Sequence, residues 1–289
     1  MAEARVGVIG GSGLYEIEGL TEVEEVSQDT PFGKPSDKIV VGTLAGVRVA
    51  FLPRHGRGHP ISPSELPSRA NIWAMKKLGV THLLSVSAVG SLREELAPRD
   101  VAIPDQILDR TKGVRPPSFF GQGLVVHVAF AEPYCPELRQ IAYDAATEAG
   151  ARVHRGGTMV VIEGPQFSTK AESHFYRGIG GDIIGMTALP EAKLAREAEI
   201  CYATVAMVTD YDCWHESEES VTVEMVVANL LANADTAKAI IMGALPRIAA
   251  AERGCECGHA LADAIITRSE AIPPERVEML KPLVSKYLD

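Results

Sequence analysis

The sequence predicts an α/β fold in which helices cover both faces of a sheet, and three observations indicate it. Short apolar runs rich in β-branched residues alternate along the chain with amphipathic stretches of helical spacing. Several of these stretches open with proline, which is favoured in the first turn of a helix. The chain has 289 residues and a hydrophobic content of 46%, which is enough for one large core. We therefore expect a single α/β domain.

The predicted strands are apolar runs, and most are short. We expect them over residues 5–10, 38–42, 47–53, 80–87, 158–163, 182–186 and 200–209. Helical spacing predicts helices over residues 67–78, 136–149, 170–178, 190–198 and 221–251.

The composition changes near Gly254, where a Gly- and Cys-containing segment interrupts the helical pattern. A short helix and a final amphipathic helix from Pro273 are expected to follow it. We expect residues 1–253 to form the domain and residues 254–289 to form a helical extension packed on the same domain.

The chain contains five cysteines, an odd number that is typical of an intracellular protein rather than of a disulfide scaffold. Cys255 and Cys257, followed by His259, fit either a vicinal redox pair or part of a metal site. Only these three ligands lie close together in the sequence, and no zinc spacing is matched. We therefore expect plain thiols and no bound metal.

The charge balance argues against two classes of partner. The formal net charge is −10 and the pI is about 5.4, so the chain has no electrostatic footprint for nucleic acid or an anionic membrane. Any phosphate must be held by a few local donors. No signal-peptide pattern and no apolar run of membrane-spanning length is present, and we expect a cytoplasmic location.

A glycine-rich turn follows the first predicted strand, at Gly10-Gly11-Ser12-Gly13. Missing side chains let backbone N–H groups turn toward an anion, so the turn resembles a phosphate cradle. It matches neither the dinucleotide fingerprint nor the Walker A loop. Taken alone, it fits a structural turn as well as a functional one.

An Arg- and His-rich loop follows the third predicted strand, over residues 53–60. The fork of donors on Arg54 matches phosphate oxygens, and His55 can add another contact. His55 and His59 have i,i+4 spacing, but this Gly-rich segment is not a helix and lacks the Glu of a zincin motif. Ser87, at the predicted end of the fourth strand, can donate to the same anion. A solvated basic loop remains the alternative.

The most informative motif is Thr209-Asp210-Tyr211-Asp212, which closes a strongly apolar predicted strand. Residues two apart on a strand face the same side, so Asp210 and Asp212 should converge while Tyr211 points away. When two carboxyl groups lie this close together, we expect the pKa of one of them to be raised. A protonated acid can donate to purine N7, and a carboxylate can accept from a 6-amino group. Helix capping or metal binding by the pair is the alternative.

Several segments of the sequence together resemble one family, the trimeric purine nucleoside phosphorylases, and within it the methylthioadenosine phosphorylase branch. The similar segments are VGVIGGSGL, DTPFGKPSD, RHGRGH, ANIWAMKKLG, GSLREEL, AEPYCPELR, GTMVVIEGPQFS, GMTALPEAKLAREA and MVTDYDCW. The resemblance implies a mixed twisted sheet, partly barrel-like and flanked by helices, in a homotrimer or a dimer of trimers. It implies inorganic phosphate as co-substrate, no cofactor, and a role in purine and methionine salvage.

The resemblance also implies residue roles. It assigns the phosphate site to Ser12, Arg54, His55, Ser87, Ala88 and Thr187. It assigns substrate contacts to Phe167, Met186, Asp210, Tyr211 and Asp212, with Asp210 as the catalytic acid. Specificity would fall to Ser168 near the purine edge, to Val223 and Val226 beside the sulfur, and to His127 from a neighbouring subunit.

Two positions favour one branch of the family. Relatives that prefer 6-oxopurines carry Asn where Asp210 stands, so Asp210 favours adenine. The apolar Val223 favours a methylthio group over a 5'-hydroxyl. We therefore expect phosphorolysis of 5'-methylthioadenosine to adenine and 5-methylthioribose 1-phosphate. The alternatives are a phosphorylase acting on inosine or guanosine and a non-catalytic nucleoside-binding protein.

Overall fold

The structure is a computed structural model that describes residues 3–11, 18–215 and 223–288. Within these ranges the chain forms a mixed α/β fold with one sheet. Its strands are β1 Val6–Gly10, β2 Thr21–Val26, β3 Ile39–Leu44, β4 Val47–Pro53, β5 His82–Ser91, β6 Val101–Ile103, β7 Gln106–Arg110, β8 Val153–Arg155, β9 Thr158–Ile162, β10 Ile183–Gly185 and β11 Cys201–Asp210. Its helices are α1 Ser68–Lys77, α2 Pro136–Glu148, α3 Lys170–Gly178, α4 Ala188–Glu197, α5 Val223–Ala250 and α6 Pro274–Val284.

The sheet branches at β5. One path runs β2-β3-β4-β1-β5-β10-β9-β7, and β11 also pairs with β5, followed by β6 and β8. β5 is parallel to β1 and β11 and antiparallel to β10. β1 pairs with residues 82–85 of β5 and β10 with residues 90–91, while β11 runs along residues 82–90. The result is a mixed sheet, as expected.

Helices cover both faces of the sheet, as predicted. α2 and α5 pack together on one face and share an apolar core with β1, β4 and β11. α1, α4 and α6 supply apolar residues to the core on the other face. β11 is buried along its whole length, as expected of a parallel strand covered on both sides.

The predicted elements agree with the structure where the apolar pattern is strong. The predictions for β4 and α3 match residue for residue. β2 was missed because its residues are exposed and mostly polar, a pattern that occurs on edge strands. The short strands β6, β7 and β8 were also missed. β5 continues past its predicted end at Ser87 as far as Ser91, because its second half pairs with β10 and β11.

The C-terminal segment contributes to the core. Leu280, Leu283 and Val284 of α6 are buried in the cluster that α1 and α4 line, and Cys257 is buried in the opposite cluster. The division at residue 253 itself stays a prediction. In the described ranges, no helix is both long enough and apolar enough to cross a bilayer.

Candidate active site

A cavity of about 230 Å³ lies at the carboxyl ends of the parallel strands β1, β4, β5 and β11. Open α/β sheets bind ligands at this edge because successive strand ends and their loops meet there. The lining includes Gly11, Arg54, His55, His59, residues 86–90, Phe167, Ser168, residues 184–187, Asp210, Asp212 and Asn233. Most of the side chains that the sequence singled out therefore meet in one place.

Hydroxyl groups line one side of the cavity, which we call the anion side. The Ser87 Oγ and the Thr187 Oγ1 lie 3.0 Å apart, although the two residues are 100 positions apart in the chain. Both are buried, with 8% of each exposed. Ala88 and Gly11 line the cavity with them. The predicted phosphate residues Ser87, Ala88 and Thr187 are thus brought together, and Ser12 lies outside the described residues.

Arg54 follows β4 and is buried beside the anion side, with 2% of it exposed. Its Nε and Nη2 donate to the two carboxylate oxygens of Glu191 at 3.0 and 3.1 Å. The same guanidinium donates to Ser85 Oγ at 2.6 Å and to the Val86 carbonyl at 3.0 Å. Because a bidentate ion pair fixes a guanidinium geometrically, Arg54 is rigidly placed in the cavity wall.

Glu191 was missed by the sequence analysis. It lies in the first turn of α4 and also accepts a hydrogen bond of 2.8 Å from the hydroxyl of Tyr202. One sequence signal points to it, because Glu191 lies on the helical face that the small apolar residues Ala192 and Ala195 occupy. A carboxylate on an apolar helix face needs a buried partner.

His55 is held as a neutral ring. Its Nδ1 lies 2.8 Å from the Ile61 carbonyl, and a carbonyl only accepts, so Nδ1 carries the proton. Burial lowers the pKa of His55 to about 4. The ring also stacks on His59, with 4.1 Å between the ring centroids. Neutral His55 therefore presents Nε2 as an acceptor, whereas the sequence analysis treated it as an additional contact to phosphate without assigning this role.

The two predicted acids line another part of the same cavity, which we call the acid side. Asp210 ends β11, and its carboxylate accepts from Thr209 Oγ1 at 2.7 Å and from the Asp212 backbone N–H at 2.8 Å. The predicted strand geometry is wrong for Asp212, which lies in a turn with a φ of +51°. The acids converge because this turn folds back on the strand end, and not because of the β pleat.

Burial raises the pKa of both acids. It is the largest cause for Asp210 and for Asp212, and the charge of Asp210 raises the pKa of Asp212 further. Within the described part of the chain, Asp212 Oδ2 and Ser168 Oγ are buried without a hydrogen-bond partner. Both residues line the cavity, so the acid side offers polar atoms that a ligand can satisfy.

Gly90 of β5 makes room for the acids. A Cβ at this position would lie 2.9 Å from Asp210 Oδ1 and 3.4 Å from Asp212 Cβ, the first of which is closer than a Cβ approaches another heavy atom. Any side chain here would push Asp210 away from β5.

A second buried ion pair shapes the cavity wall and was also missed. Arg115 Nε donates to Glu163 Oε1 at 2.7 Å, and Arg115 also donates to the carbonyls of Met186 and Leu189. It thereby ties the loop after β9 to the residues that follow β10. Phe167 lines the cavity and is 48% exposed.

Five of the predicted residues are not placed in the cavity, counting Ser12, which lies outside the described residues. Tyr211 is not among the lining residues; its ring stacks on His215 and its hydroxyl donates to the Glu94 carbonyl at 3.3 Å. His127 is exposed and also lies outside the lining. Val223 and Val226 open α5, but their side chains lie outside what the structure describes. Asn233 of the same helix lines the cavity, donates to the Val208 carbonyl at 3.1 Å, and was not predicted.

Hydroxyl groups and two buried acids line one cavity at the strand ends of an α/β sheet, an arrangement suited to an enzyme that cleaves nucleosides. The model of the phosphorylase superfamily matches residues 5–246, and the chain belongs to this family.

Individual relatives are similar to this chain over nearly its whole length. The chain is 56% identical to an S-methyl-5'-thioadenosine phosphorylase of Geobacter sulfurreducens, over 99% of this chain and 100% of that protein. It is 57% identical to one of Chloroflexus aurantiacus, over 99% of both chains. Among solved structures, a methylthioadenosine phosphorylase from an antarctic soil metagenomic library is similar, with a TM-score of 0.94 and 50% identity, over 98% of this chain and all of that one. The Schistosoma mansoni methylthioadenosine phosphorylase in complex with adenine has a TM-score of 0.82 and 39% identity, over 90% and 96% of the two chains.

Proposed function

We propose that this chain cleaves 5'-methylthioadenosine with inorganic phosphate, releasing adenine and 5-methylthioribose 1-phosphate. The observation that carries the proposal is the placement of the anion side and the acid side along β5. Ser87 lies on the anion side, and Gly90, against which Asp210 packs, is three residues further along. Three residues of strand span roughly 10 Å, which leaves room for a sugar between a phosphate and a purine.

The acid side is suited to the departing base. Burial raises the pKa of Asp210, which favours its protonated form, and this acid can donate to N7 as negative charge grows there. Asp212 Oδ2, without a hydrogen-bond partner in the described residues, is suited to accept from the 6-amino group of adenine. Phe167 provides an apolar face for the ring.

The anion side is suited to phosphate. The hydroxyls of Ser87 and Thr187, which both line the cavity, can donate to its oxygens. Neutral His55 offers Nε2 as an acceptor for the hydroxyl of a monoprotonated phosphate. Phosphate held beneath C1' stabilises the positive charge that develops on the sugar as the glycosidic bond breaks. The reaction by this route needs inorganic phosphate as co-substrate and no cofactor.

The remaining expected roles are part of the same proposal. We place Ser12 with the phosphate donors, Met186 against the ribose, and Ser168 at the purine edge. Val223 and Val226 would contact the methylthio group. His127 would reach the site from a neighbouring subunit of a homotrimer, since its side chain is exposed in the single chain. A cytoplasmic location and a role in purine and methionine salvage belong to this proposal as well.

The test is to incubate the protein with methylthioadenosine, adenosine and inosine, each with and without phosphate, and to identify the free bases. We expect fastest release of adenine from methylthioadenosine, and only with phosphate. Base release without phosphate would indicate a hydrolase. Fastest release of hypoxanthine would favour an inosine phosphorylase, and nucleoside binding without base release would favour a non-catalytic protein.

A further inference from the structure

Four of the five cysteines form a cluster far from the cavity. The cluster, called the thiol cluster below, consists of Cys135, Cys201, Cys255 and Cys257. All four Sγ atoms lie within 4.8 Å of one another. The Sγ atoms of Cys201 and Cys255 lie 3.3 Å apart, and those of Cys135 and Cys255 lie 3.6 Å apart. Each of the cysteines is a free thiol.

Separate parts of the fold supply these thiols. Cys135 caps the N-terminus of α2, where its sulfur accepts from the Leu138 N–H at 3.4 Å. Cys201 is the first residue of β11. Cys255 and Cys257 come from the C-terminal segment, at the start of a 3-10 helix. Only Cys255 and Cys257 are recognisable as a pair from the sequence. His259, which follows them, is not part of the cluster, and its Nδ1 lies 3.3 Å from Lys286 Nζ.

The geometry of the thiol cluster fits a tetrahedral metal ion. Four sulfurs bound to zinc at about 2.3 Å in a tetrahedron lie roughly 3.8 Å from one another. The separations of 3.3 and 3.6 Å lie slightly below this value, and no pair of the four sulfurs is more than 4.8 Å apart, so small side-chain shifts would complete the tetrahedron. Three of the cysteines are buried and Cys255 is partly exposed, which gives an ion a path of entry.

The surroundings of the cluster fit a tetrathiolate, which carries two net negative charges around a divalent ion. Arg253 Nε donates to Cys201 Sγ at 3.2 Å, and the Leu138 N–H donates to Cys135. Structural metal sites are completed by such outer hydrogen bonds. Gly258 follows Cys257, and a Cβ there would lie 2.9 Å from Arg253 Nη1, so the glycine leaves room for the guanidinium.

We propose that the thiol cluster is a structural zinc site that ties the C-terminal segment to α2 and to the start of β11. Binding replaces four S–H protons with one Zn²⁺, so that four protons are released and no electron is transferred. Because Cys201 and Asp210 lie at opposite ends of β11, the ion acts on the fold and takes no part in base release. The site is independent of the proposed function.

The first test is elemental analysis of the full chain, purified without chelators. We expect one zinc per chain, and replacement by Co²⁺ should give the visible absorption of a tetrahedral cobalt tetrathiolate. Zinc should leave when the thiols are titrated with a mercurial. Free thiols without metal, bound iron, or an unreduced mass lower by four hydrogens, which indicates two disulfides, would each overturn the proposal.

Variants distinguish a metal ligand from a packed thiol. Cys255→Ser should lose most of the zinc, whereas Cys255→His should retain it with an altered cobalt spectrum, because three thiolates and one imidazole also form structural zinc sites. Cys213→Ser is the matched control, since Cys213 is the one cysteine of the chain outside the cluster, and it should keep the full zinc content. Should Cys255→Ser not fold, the cobalt spectrum of Cys255→His decides, and an unaltered spectrum would contradict ligation by Cys255.

Discussion

The anion side and the acid side of the cavity place buried polar groups in two different ways. On the anion side, Arg54 is engaged with Glu191 and with groups of β5, so the wall is held rigid by the chain itself. On the acid side, Asp212 Oδ2 and Ser168 Oγ have no hydrogen-bond partner among the described residues. The anion side is thus preorganised by hydrogen bonds within the chain. The acid side keeps buried polar atoms without partners, and hydrogen bonds from a ligand can offset the cost of their desolvation.

Breaking the rigid wall of the anion side should have the largest effect. Glu191→Gln leaves the buried guanidinium of Arg54 without its carboxylate, and loss of one partner of a buried ion pair destabilises a protein by about 3–5 kcal/mol. We expect this fall in the free energy of unfolding, measured by urea titration, with a higher KM for phosphate. The control is Glu278→Gln, an exposed surface residue, which should change stability by less than about 0.5 kcal/mol. Equal stability of the two variants would show that the ion pair does not hold the wall.

Removing the acid from the acid side should act on turnover. Asp210→Asn should lower kcat/KM for methylthioadenosine about a hundredfold, as for loss of one acid catalyst. The activity with inosine should fall less or rise, because an amide can serve a 6-oxopurine. The matched control is Asp109→Asn, whose carboxylate pairs with Lys193 at the surface. Unchanged kinetics with methylthioadenosine would refute the role of Asp210.

The neutral ring of His55 predicts a pH dependence of stability. Its pKa of about 4 lies below the ordinary value of 6.5, so the unfolded chain binds a proton that the folded chain does not between these pH values. The free energy of unfolding should therefore fall as the pH is lowered from 6.5 to 4, by about 2 kcal/mol after allowance for solvent relaxation.

The measurement is denaturant unfolding at several pH values, comparing wild type with His55→Gln. The variant should lose less stability over this window, and the exposed His174→Gln should follow the wild type. Parallel profiles for His55→Gln and wild type would mean that His55 titrates normally.

The smallest expected effect comes from one hydroxyl of the anion side. Ser87→Ala removes a donor that faces Thr187 Oγ1, and loss of one hydrogen bond to a charged ligand is worth about 1.5 kcal/mol, or roughly tenfold in the KM for phosphate. The KM for the nucleoside should change less, which separates the two sides of the cavity. Ser269→Ala, at an exposed position, is the control. A larger change in the nucleoside KM than in the phosphate KM would contradict the assignment of Ser87.

The sequence was sufficient to predict the fold class and many of the residues that line the cavity. Apolar runs predicted β4 and α3 because burial dictates their pattern, and the motif around Asp210 predicted the acid pair. Glu191 and Arg115 were missed because their importance comes from partners more than 45 residues away, which no local pattern reveals. The full thiol cluster was not predicted from the sequence for the same reason, because only the fold brings Cys135 and Cys201 next to Cys255.

The branch point at β5 has a consequence for how the cavity can evolve. Ser87 and Gly90 sit on one strand whose register is fixed by β1, β10 and β11, and inserting a single residue between them would turn the following side chains to the opposite face. The distance between the anion side and the acid side is therefore set by the strand itself. New nucleoside preferences are best sought by exchanging side chains at the rim, because lengthening or shortening this central segment would dismantle the sheet.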